Sequence, residues 1–408
     1  MHRYLGGLAA GLVTIALSAG IAAGASPTAG GGPMRFDPIS GSAYGQESAA
    51  WDTPFVIPDG FAQTLVSDET VLDIYPGGVD DLTDMNTVNE TGRQRGRYLY
   101  RTHEVGSNGA VSLVDLDTGA TKLLAQDPGY RRLDGNRWTP WGTLLFAEET
   151  AGGRLFEVFF DKNDPTTAAE IVARPALGIL AHEGIETLGD GTAFVIDELA
   201  GGGIFKFVPD KKRDLSEGTL YAAKGTNPDG TGDLTWVALD RDAVKVDARA
   251  AHQALLAQGK VSAYERPEDV EIIDDVLYVA VTGSDRVLAF DLQHDRITNF
   301  VQAGVNVPIE DVADEVTGLN APVNLAHGPN GLLWIVDDND FSDIWVADHD
   351  QDGNGVADGV HLFASLKDVG AEGTGIYFGR DPRTLFVNVQ HPDKPLADGT
   401  WGITRTKD

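Results

Sequence analysis

Short runs of apolar and β-branched residues recur along most of the chain, separated by loops rich in Gly, Asp and Asn. From Trp51 onward the runs form one repeated unit: an apolar strand, an acidic or polar loop, and a second apolar strand. Runs of this length between turn residues are typical of β-strands. The pattern therefore predicts an all-β chain built from repeats.

Most copies of this unit begin about 45 to 55 residues apart, the period of a four-stranded propeller blade. A β-sandwich also contains many short strands, but it does not repeat one fixed strand-loop-strand unit so often. The recurrence predicts a six-bladed β-propeller. The copies are 98–100 with 111–114, 143–147 with 155–159, 193–196 with 204–207, 277–281 with 287–290, 333–336 with 344–347, and 385–389.

One interval between copies is longer than the others. The extra residues, 242–258, carry alanines, leucines and charges at helical spacing and lack a β-branched run. We therefore predict a helical insertion in the propeller.

The first residues have a different character from the repeats. Arg3 is followed by an apolar stretch over 4–23 and by a small-residue site at 23–25, just before Pro27. This layout predicts a cleaved secretory signal over 1–25 and a secreted or periplasmic protein. A membrane anchor is the alternative, but its Gly and Ala residues make the stretch less hydrophobic, and the stretch lacks flanking charge.

The segment after the signal, 26–50, is rich in Gly, Ser, Pro and Ala. Such composition predicts a flexible leader, which leaves 51–408 as the propeller domain. A second apolar run of spanning length does not occur in the sequence, so we expect no membrane span.

Composition narrows the chemistry. The 408 residues include no cysteine, which excludes disulfides, thiolate nucleophiles and thiolate metal ligands. A formal net charge of −31 makes nucleic acid an unfavourable partner, and we expect a monomer acting on a small molecule. Neither a Gly-x-Ser-x-Gly elbow nor a phosphate-binding loop is present.

Most of this charge is typical of a solvated surface, but carboxylates also follow the predicted strands. Blades aim the ends of their inner strands at one axis, so these carboxylates should converge and repel each other unless a cation lies between them. Calcium takes six to eight oxygen ligands and suits such a cluster, whereas zinc prefers histidine or thiolate. The strand-end groups are His103 with Glu104, Glu148 with Glu149, His182 with Glu183, Asp197 with Glu198, Arg266 to Asp269, Asp337 with Asp338, and Gln390 with His391.

A second acidic motif lies at 350–358. Asp350, Asp352, Asn354 and Asp358 place oxygen side chains at the spacing of an EF-hand loop, and Gly355 permits the sharp turn. The bidentate Glu that usually closes such a loop is replaced by His361. The motif predicts a structural calcium site, with a plain acidic turn as the alternative.

Read in order, several stretches resemble the PhoX-type alkaline phosphatases. The resemblance extends through nearly the whole mature chain, and its motifs are specific as a set. The matching stretches are Arg-Thr-His-Glu at 101–104, Thr-Pro-Trp-Gly-Thr at 139–143 leading to Glu148 and Glu149, His-Glu at 182–183, Arg-Pro-Glu at 266–268, Asn324 before 331–334, and 386–392.

The resemblance implies an exported phosphoesterase in which calcium and, in the active phosphatases, iron bind the substrate phosphate. It implies that Glu183, Glu268 and Asp338 are metal ligands and that Glu148 or Glu149 holds calcium. Arg266 would grip the phosphate oxygens, so the catalytic set is Arg266, Glu268 and Glu183. A guanidinium suits this role because it binds phosphate in a bidentate fashion.

Three positions depart from the family motif. Asp134 stands in place of a cysteine iron ligand, Thr102 in place of an asparagine, and Val323 in place of an aspartate. The signal also lacks the twin arginines common among family exports. An all-oxygen site containing Asp134 should prefer calcium, magnesium or manganese, so the departures argue against iron.

The leading hypothesis is thus a secreted, calcium-dependent phosphoesterase of the PhoX type. One alternative is a non-catalytic propeller that uses calcium for rigidity. Another is a lactonase- or arylesterase-like propeller, where a central calcium polarises a carbonyl. A phosphate site needs a converging cation such as Arg266, whereas a lactonase pocket would have apolar walls.

Overall fold

The computed structural model describes residues 29–46, 51–162 and 164–407. The predicted signal at 1–25 lies outside this part. In the described residues the chain is all-β, as predicted, apart from one α-helix and five short 3-10 helices. The 3-10 helices are Gly32–Met34, Pro175–Leu177, Thr282–Ser284, Val312–Asp314 and Pro329–Gly331.

The strands form antiparallel meanders with short connections. Two strands, β1 (Phe55–Val56) and β2 (Phe61–Asp68), come first. The next eight are β3 (Thr83–Val88), β4 (Tyr98–His103), β5 (Ala110–Asp115), β6 (Thr121–Gln126), β7 (Leu133–Trp138), β8 (Leu144–Glu148), β9 (Leu155–Asp161) and β10 (Asp164–Ala173).

The middle of the chain carries nine more strands, interrupted once by the helix. They are β11 (Ile185–Thr187), β12 (Ala193–Ile196), β13 (Ile204–Lys211), β14 (Asp214–Gly225), β15 (Gly232–Ala238), β16 (Pro267–Ile273), β17 (Val276–Val281), β18 (Arg286–Asp291) and β19 (Arg296–Gln302). The last seven are β20 (Pro322–His327), β21 (Leu333–Asp337), β22 (Ile344–Ala347), β23 (Val360–Leu366), β24 (Glu372–Phe378), β25 (Thr384–Gln390) and β26 (Gly399–Arg405).

These strands pair into five sheets. Strands β3–β6 and β7–β10 form two four-stranded sheets, and β24–β26 form a third with β2. Strands β20–β23 form a sheet with β1 at its edge, and β11–β19 form a nine-stranded sheet through pairing of β15 with β19. Phe61 of β2 pairs with Arg405 of β26, so the beginning of the domain completes the sheet at its end.

The first strands of the meanders form a closed ring. Strand β3 contacts β7, which contacts β11; the contacts continue through β16, β20 and β24, and β24 returns to β3. We call these six the inner strands. Strands next to them, such as β8, β12 and β21, are buried along their whole length. Burial on both faces explains why they appear in the sequence as continuous apolar runs.

The predicted helical insertion is confirmed as α1 (Arg241–Leu256). Asp240 caps its first turn by accepting hydrogen bonds from the backbone N–H groups of Asp242 and Ala243. Val244 and Ala248 bury the helix against the sheet that contains β13 and β14. No helix in the described residues is long and apolar enough to cross a membrane.

The segment 29–46 differs from the flexible leader that its composition predicted. Met34 is fully buried, and Phe36 packs edge-on against Phe363 with ring centroids 5.0 Å apart. The few apolar residues of this segment enter the core beside Trp334 and Phe363. Composition alone did not predict this packing, because the residues that Met34 and Phe36 contact lie at the other end of the chain.

Candidate metal centre

One backbone arrangement recurs where the inner strands begin. In each case the backbone carbonyl just before the inner strand accepts a hydrogen bond from a backbone N–H just after the second strand of the same sheet. Five such bonds of 2.8 to 3.0 Å join Glu104 to Leu82, Glu149 to Arg132, Glu198 to Ala181, Thr282 to Arg266, and Asp338 to Ala321.

The repeated bonds define equivalent positions, which form two rows of side chains at one end of the ring. The first row lies two residues after each accepting carbonyl. The second row contains the N–H donors, including Glu104, Glu149, Glu198 and Asp338. The members of the first row are Asp84, Asp134, Glu183, Glu268 and Val323.

Irregular strand pairing aims the first row inward. In β7, Leu133 pairs with Glu148, and the next paired residue is Asn136, so Asp134 lies in a bulge. The same shift places Asp84 and Glu268 in bulges of β3 and β16. Bulges bend a strand and re-aim its side chains, which explains how successive strands direct a carboxylate to one place.

These side chains enclose a cavity of about 200 Å³. Its lining is almost entirely polar, with eight carboxylates, two arginines and one valine. The lining residues are Asp84, Glu104, Arg132, Asp134, Glu149, Glu183, Arg266, Glu268, Val323, Asn324, Asp338, Glu372, Thr374 and His391.

Three of the carboxylates have the spacing of ligands around one ion. Asp84, Glu104 and Asp134 each offer an oxygen within 4.8 Å of the other two. Calcium binds oxygens at about 2.3 to 2.6 Å, so one ion can join two oxygens at this separation. Asp134 Oδ1 is buried without a hydrogen-bond partner among the described residues, whereas Gln390 Nε2 donates to Asp84 Oδ2 at 2.9 Å. The unpaired oxygen and the hard donor set fit a calcium ion.

The electrostatics of the cavity also favour a bound cation. Burial first, and the charge of Asp84 second, raise the pKa of Glu104 to about 7. Burial and Glu104 raise the pKa of Glu149 to about 8, and burial and Asp84 hold the pKa of Asp134 well above its usual range. These carboxylates therefore ionise together only when a positive charge offsets their repulsion.

Two arginines supply part of that charge. Arg132 forms an ion pair with Glu149, 2.6 Å from Nη2 to Oε2, and another with Glu104. Arg266 lies 2.7 Å from both Glu198 and Glu268.

The structure brings together most of the strand-end residues proposed from the sequence. Glu104, Asp134, Glu149, Glu183, Arg266, Glu268 and Asp338 all line the cavity. Glu148 does not line it: both of its oxygens bind the Arg154 guanidinium, at 2.7 and 2.8 Å.

Two histidines of the dipeptide motifs, His103 and His182, turn away from the cavity, whereas His391 lines it. His103 Nδ1 contacts the Asp81 carbonyl and its Nε2 contacts Ser112 Oγ, while His182 Nε2 contacts the Gly178 carbonyl. Burial lowers the pKa of His103 to about 3 and that of His182 to about 4. Both are thus neutral core residues.

Sequence analysis missed four lining residues. Asp84, Arg132, Glu372 and Thr374 lie at or just before inner strands, whereas most of the residues proposed from the sequence follow the second strands. Thr374 Oγ1 lies 2.5 Å from Asp84 Oδ1 and connects two inner strands. Aligning the repeats on Asp134 and Glu268 would have found Asp84.

Of the three positions that depart from the family motif, Asp134 and Val323 lie in the first row, and Thr102 contacts the backbone of Asp134. Thr102 donates its hydroxyl hydrogen bond to the backbone carbonyl of Asp134. Val323 is the apolar member of the first row and lines the cavity beside Asn324.

The loop at 350–358 lies apart from the cavity, between β22 and β23. Asp350, Asp352 and Asp358 each offer an oxygen within 4.8 Å of the others. Asp350 accepts hydrogen bonds from the N–H groups of Gly353 and Gly355, which curls the loop around its carboxylate.

A larger cavity of about 750 Å³ lies at the opposite ends of β3 and β7. Trp138, Trp141, Phe159 and Phe160 give it aromatic walls. Its lining includes two carboxylates, Asp161 and Asp164, compared with eight in the smaller cavity.

Solved structures with similar shape include a gluconolactonase from Xanthomonas campestris, at 15% identity and TM-score 0.48, covering 93% of this chain and 98% of that one. The calcium-binding protein regucalcin from Agrobacterium tumefaciens is 12% identical with TM-score 0.44, covering 80% and 92%. The β-propeller domain of Cps50 (Swd1) from Myceliophteria thermophila is 13% identical with TM-score 0.43, covering 81% and 98%. At these scores the likenesses imply nothing about the chemistry of this chain.

No curated protein matches the sequence significantly. The family model described as alkaline phosphatase PhoX matches residues 153–299 and 287–393, which together span more than half of the chain. The matched part contains Glu183, Arg266, Glu268 and Asp338 of the cavity. This chain therefore belongs to the alkaline phosphatase PhoX family.

Proposed function

We propose that this protein is an exported, calcium-dependent phosphoesterase whose active site is the carboxylate cavity. The observation that carries the proposal is the convergence of eight carboxylates and two arginines in about 200 Å³ of a PhoX-family chain. Carboxylates that bind metal beside guanidinium groups that bind anions are the two components that phosphoryl transfer requires.

The charge of the cavity favours divalent cations. Its eight carboxylates exceed its two arginines, and burial opposes leaving them ionised and unpaired. Asp134, Glu183 and Glu268 would hold ions from the first row, and Glu104, Glu149 and Asp338 from the second. Bound calcium would supply Lewis acidity toward the phosphate oxygens and toward a water nucleophile.

Within this site, Arg266 would orient the phosphate. Its guanidinium is held between Glu198 and Glu268, and its side chain lines the cavity and remains 47% exposed. Glu268 and Glu183 would act beside it, as metal ligands adjacent to the reacting group. Asp134, an oxygen donor in place of a thiolate, favours calcium over iron at this position.

The size of the cavity suits a phosphoryl group with its ions. Pockets that enclose drug-sized ligands are larger, about 300 to 1,000 Å³. The leaving group of the ester would therefore project from the mouth, and the cavity would impose little selection on it.

The polar lining disfavours the lactonase alternative. A pocket that binds a lactone would surround one calcium with apolar side chains, whereas Val323 is the apolar side chain of this cavity. Arg132 and Arg266 favour an anionic substrate instead.

We further propose that the six inner strands belong to six propeller blades. Their closed ring of contacts supports this arrangement, as does the pairing of β2 with β26, which would complete the sixth blade. The nine-stranded sheet would then contain two blades joined through β15 and β19. A monomer would suffice for the site, since one ring supplies every lining residue.

A metal inventory combined with an ester assay tests the function. The purified mature protein should contain calcium without stoichiometric iron, and it should hydrolyse p-nitrophenyl phosphate. A chelator should abolish hydrolysis, and added calcium should restore it. Chelator-resistant hydrolysis, or tightly held iron in each chain, would contradict the calcium mechanism.

A further inference from the structure

Arg132 and Arg266 occupy equivalent backbone positions. Each immediately precedes an inner strand, and each adopts a left-handed backbone conformation, with φ of 44° and 51°. The carbonyl of each accepts the repeated hydrogen bond that defines the two rows. At the same position Leu82, Ala181 and Ala321 are uncharged, so two of these five positions carry guanidinium groups.

The two arginines flank the inner strand β11. Arg132 precedes β7 and Arg266 precedes β16, and both of these strands contact β11. Glu183, just before β11, lines the same cavity between them. An anion in this cavity of about 200 Å³ is therefore within reach of both guanidinium groups.

The two arginines are much more exposed than the carboxylates with which they pair. The side chains of Arg132 and Arg266 are 46% and 47% exposed, whereas Glu149 and Glu268 are 10% and 3% exposed. A guanidinium has five N–H donors, so donors remain after each ion pair. The buried carboxylates thus fix the two arginines, while about half of each arginine side chain stays exposed and both line the cavity.

We propose that Arg132 is a second phosphate-contacting residue, and that Arg132 and Arg266 form a clamp that selects phosphomonoesters over phosphodiesters. This inference rests on the proposed phosphoesterase function. A monoester has three non-bridging oxygens and carries two charges above its second pKa of about 6. A diester has two such oxygens and one charge, so it cannot satisfy two bidentate guanidinium groups as well.

The proposed clamp would also distinguish the substrates sterically. A monoester has one substituent, which can leave the cavity between the arginines. A diester has two, and its second substituent would displace one guanidinium from the phosphate. Loss of Arg132 should therefore harm monoester hydrolysis much more than diester hydrolysis.

The test compares Arg132→Gln with a matched control, Arg154→Gln. Arg154 is also half-exposed and pairs with a buried carboxylate, Glu148, in the same sheet, but it lies outside the cavity. Both variants are assayed with p-nitrophenyl phosphate and bis(p-nitrophenyl) phosphate at saturating calcium, and inhibition by inorganic phosphate is measured. Thermal melting verifies that each variant is folded.

In Arg132→Gln, kcat/KM for the monoester should fall about 10- to 100-fold, the scale of one charge-assisted contact. The inhibition constant for phosphate should rise by a similar factor, while the diester rate should change less than about threefold. Arg154→Gln should change neither kcat/KM for the monoester nor the inhibition constant for phosphate. Arg132→Lys, which keeps the charge without the bidentate geometry, should lie between Arg132→Gln and the unmodified protein.

The outcomes separate this inference from the proposed function. Equal losses on monoester and diester, or unchanged phosphate inhibition, would overturn the clamp and leave the phosphoesterase intact. If the unmodified protein hydrolyses neither ester, calorimetric titration with inorganic phosphate still decides. Binding that Arg132→Gln weakens would support the clamp while refuting turnover, and absent binding would overturn both.

Discussion

The two ends of the inner strands enclose cavities of similar size but different charge. At the first-row end, a cavity of about 200 Å³ is lined by eight carboxylates and two half-exposed arginines. At the other end, about 200 Å³ is lined by Glu90, Glu271 and Arg137 together with Tyr377. There the Arg137 side chain is 18% exposed and lies 2.6 Å from Glu186 and 3.5 Å from Glu271.

This contrast shows what distinguishes a site from an internal ion pair. Arg137 is surrounded by its partners, and Glu90 accepts a hydrogen bond from the Tyr377 hydroxyl, so the protein itself provides counter-charge and hydrogen bonds. At the first-row end, Asp134 keeps an unpaired buried oxygen. At one end the charged groups pair with each other, whereas at the other end an unpaired oxygen and two half-exposed arginines support the proposed binding of calcium and phosphate.

The largest expected effect is on catalysis at the first-row end. Arg266→Ala removes a charge-assisted contact to the reacting phosphate, so kcat/KM for p-nitrophenyl phosphate should fall about 10²- to 10⁴-fold. Arg266 also pairs with the buried Glu268, so a melting curve at saturating calcium must verify that the variant is folded. A loss below threefold in a folded variant would identify Arg266 as a structural ion-pair partner.

The opposite end should respond in stability instead. Arg137→Met leaves Glu186 and Glu271 buried without their counter-ion, which should cost about 3 to 5 kcal/mol of unfolding free energy. Urea denaturation measures this loss, and added calcium should not correct it. Restoration of stability by calcium would mean that this end also binds ions, and the contrast between the two cavities would be lost.

The smallest expected effect concerns the loop at 350–358, which we propose as a separate structural calcium site. Ligand binding to the folded state raises the melting temperature, so calcium should stabilise the protein through this loop as well as through the cavity. Asp352→Ala should lower the calcium-induced rise and leave kcat/KM unchanged. An identical calcium response in this variant would indicate a plain acidic turn.

Much of this architecture could be predicted from local sequence. Buried strands such as β21 are continuous apolar runs, and the acidic residues after the second strands, such as Glu104 and Glu149, interrupt those runs visibly. The α-helical insertion was visible because its spacing changes from that of strands to that of a helix. Family motifs then indicated Arg266 and Glu268.

The rest depends on contacts that the sequence does not display. Asp84 and Arg132 precede or enter bulged strands, where the alternation of side chains is broken. Glu148 and Glu149 are adjacent and chemically alike, and only the position of Arg154 separates a buried ion pair from a cavity residue. Packing of Met34 and Phe36 likewise depends on residues far along the chain.

The pairing of β2 with β26 has a consequence for how the molecule is made. The outer strand of the last sheet is β2, which lies at the start of the domain. The contacts that close the ring therefore join residues that are nearly a whole domain apart in sequence. Contacts of such long range form slowly, because the chain must lose much of its freedom before they stabilise it. Until then β26 presents an unpaired edge that another chain can occupy. The newly made protein is thus most vulnerable to aggregation in the interval between forming its separate sheets and joining its two ends.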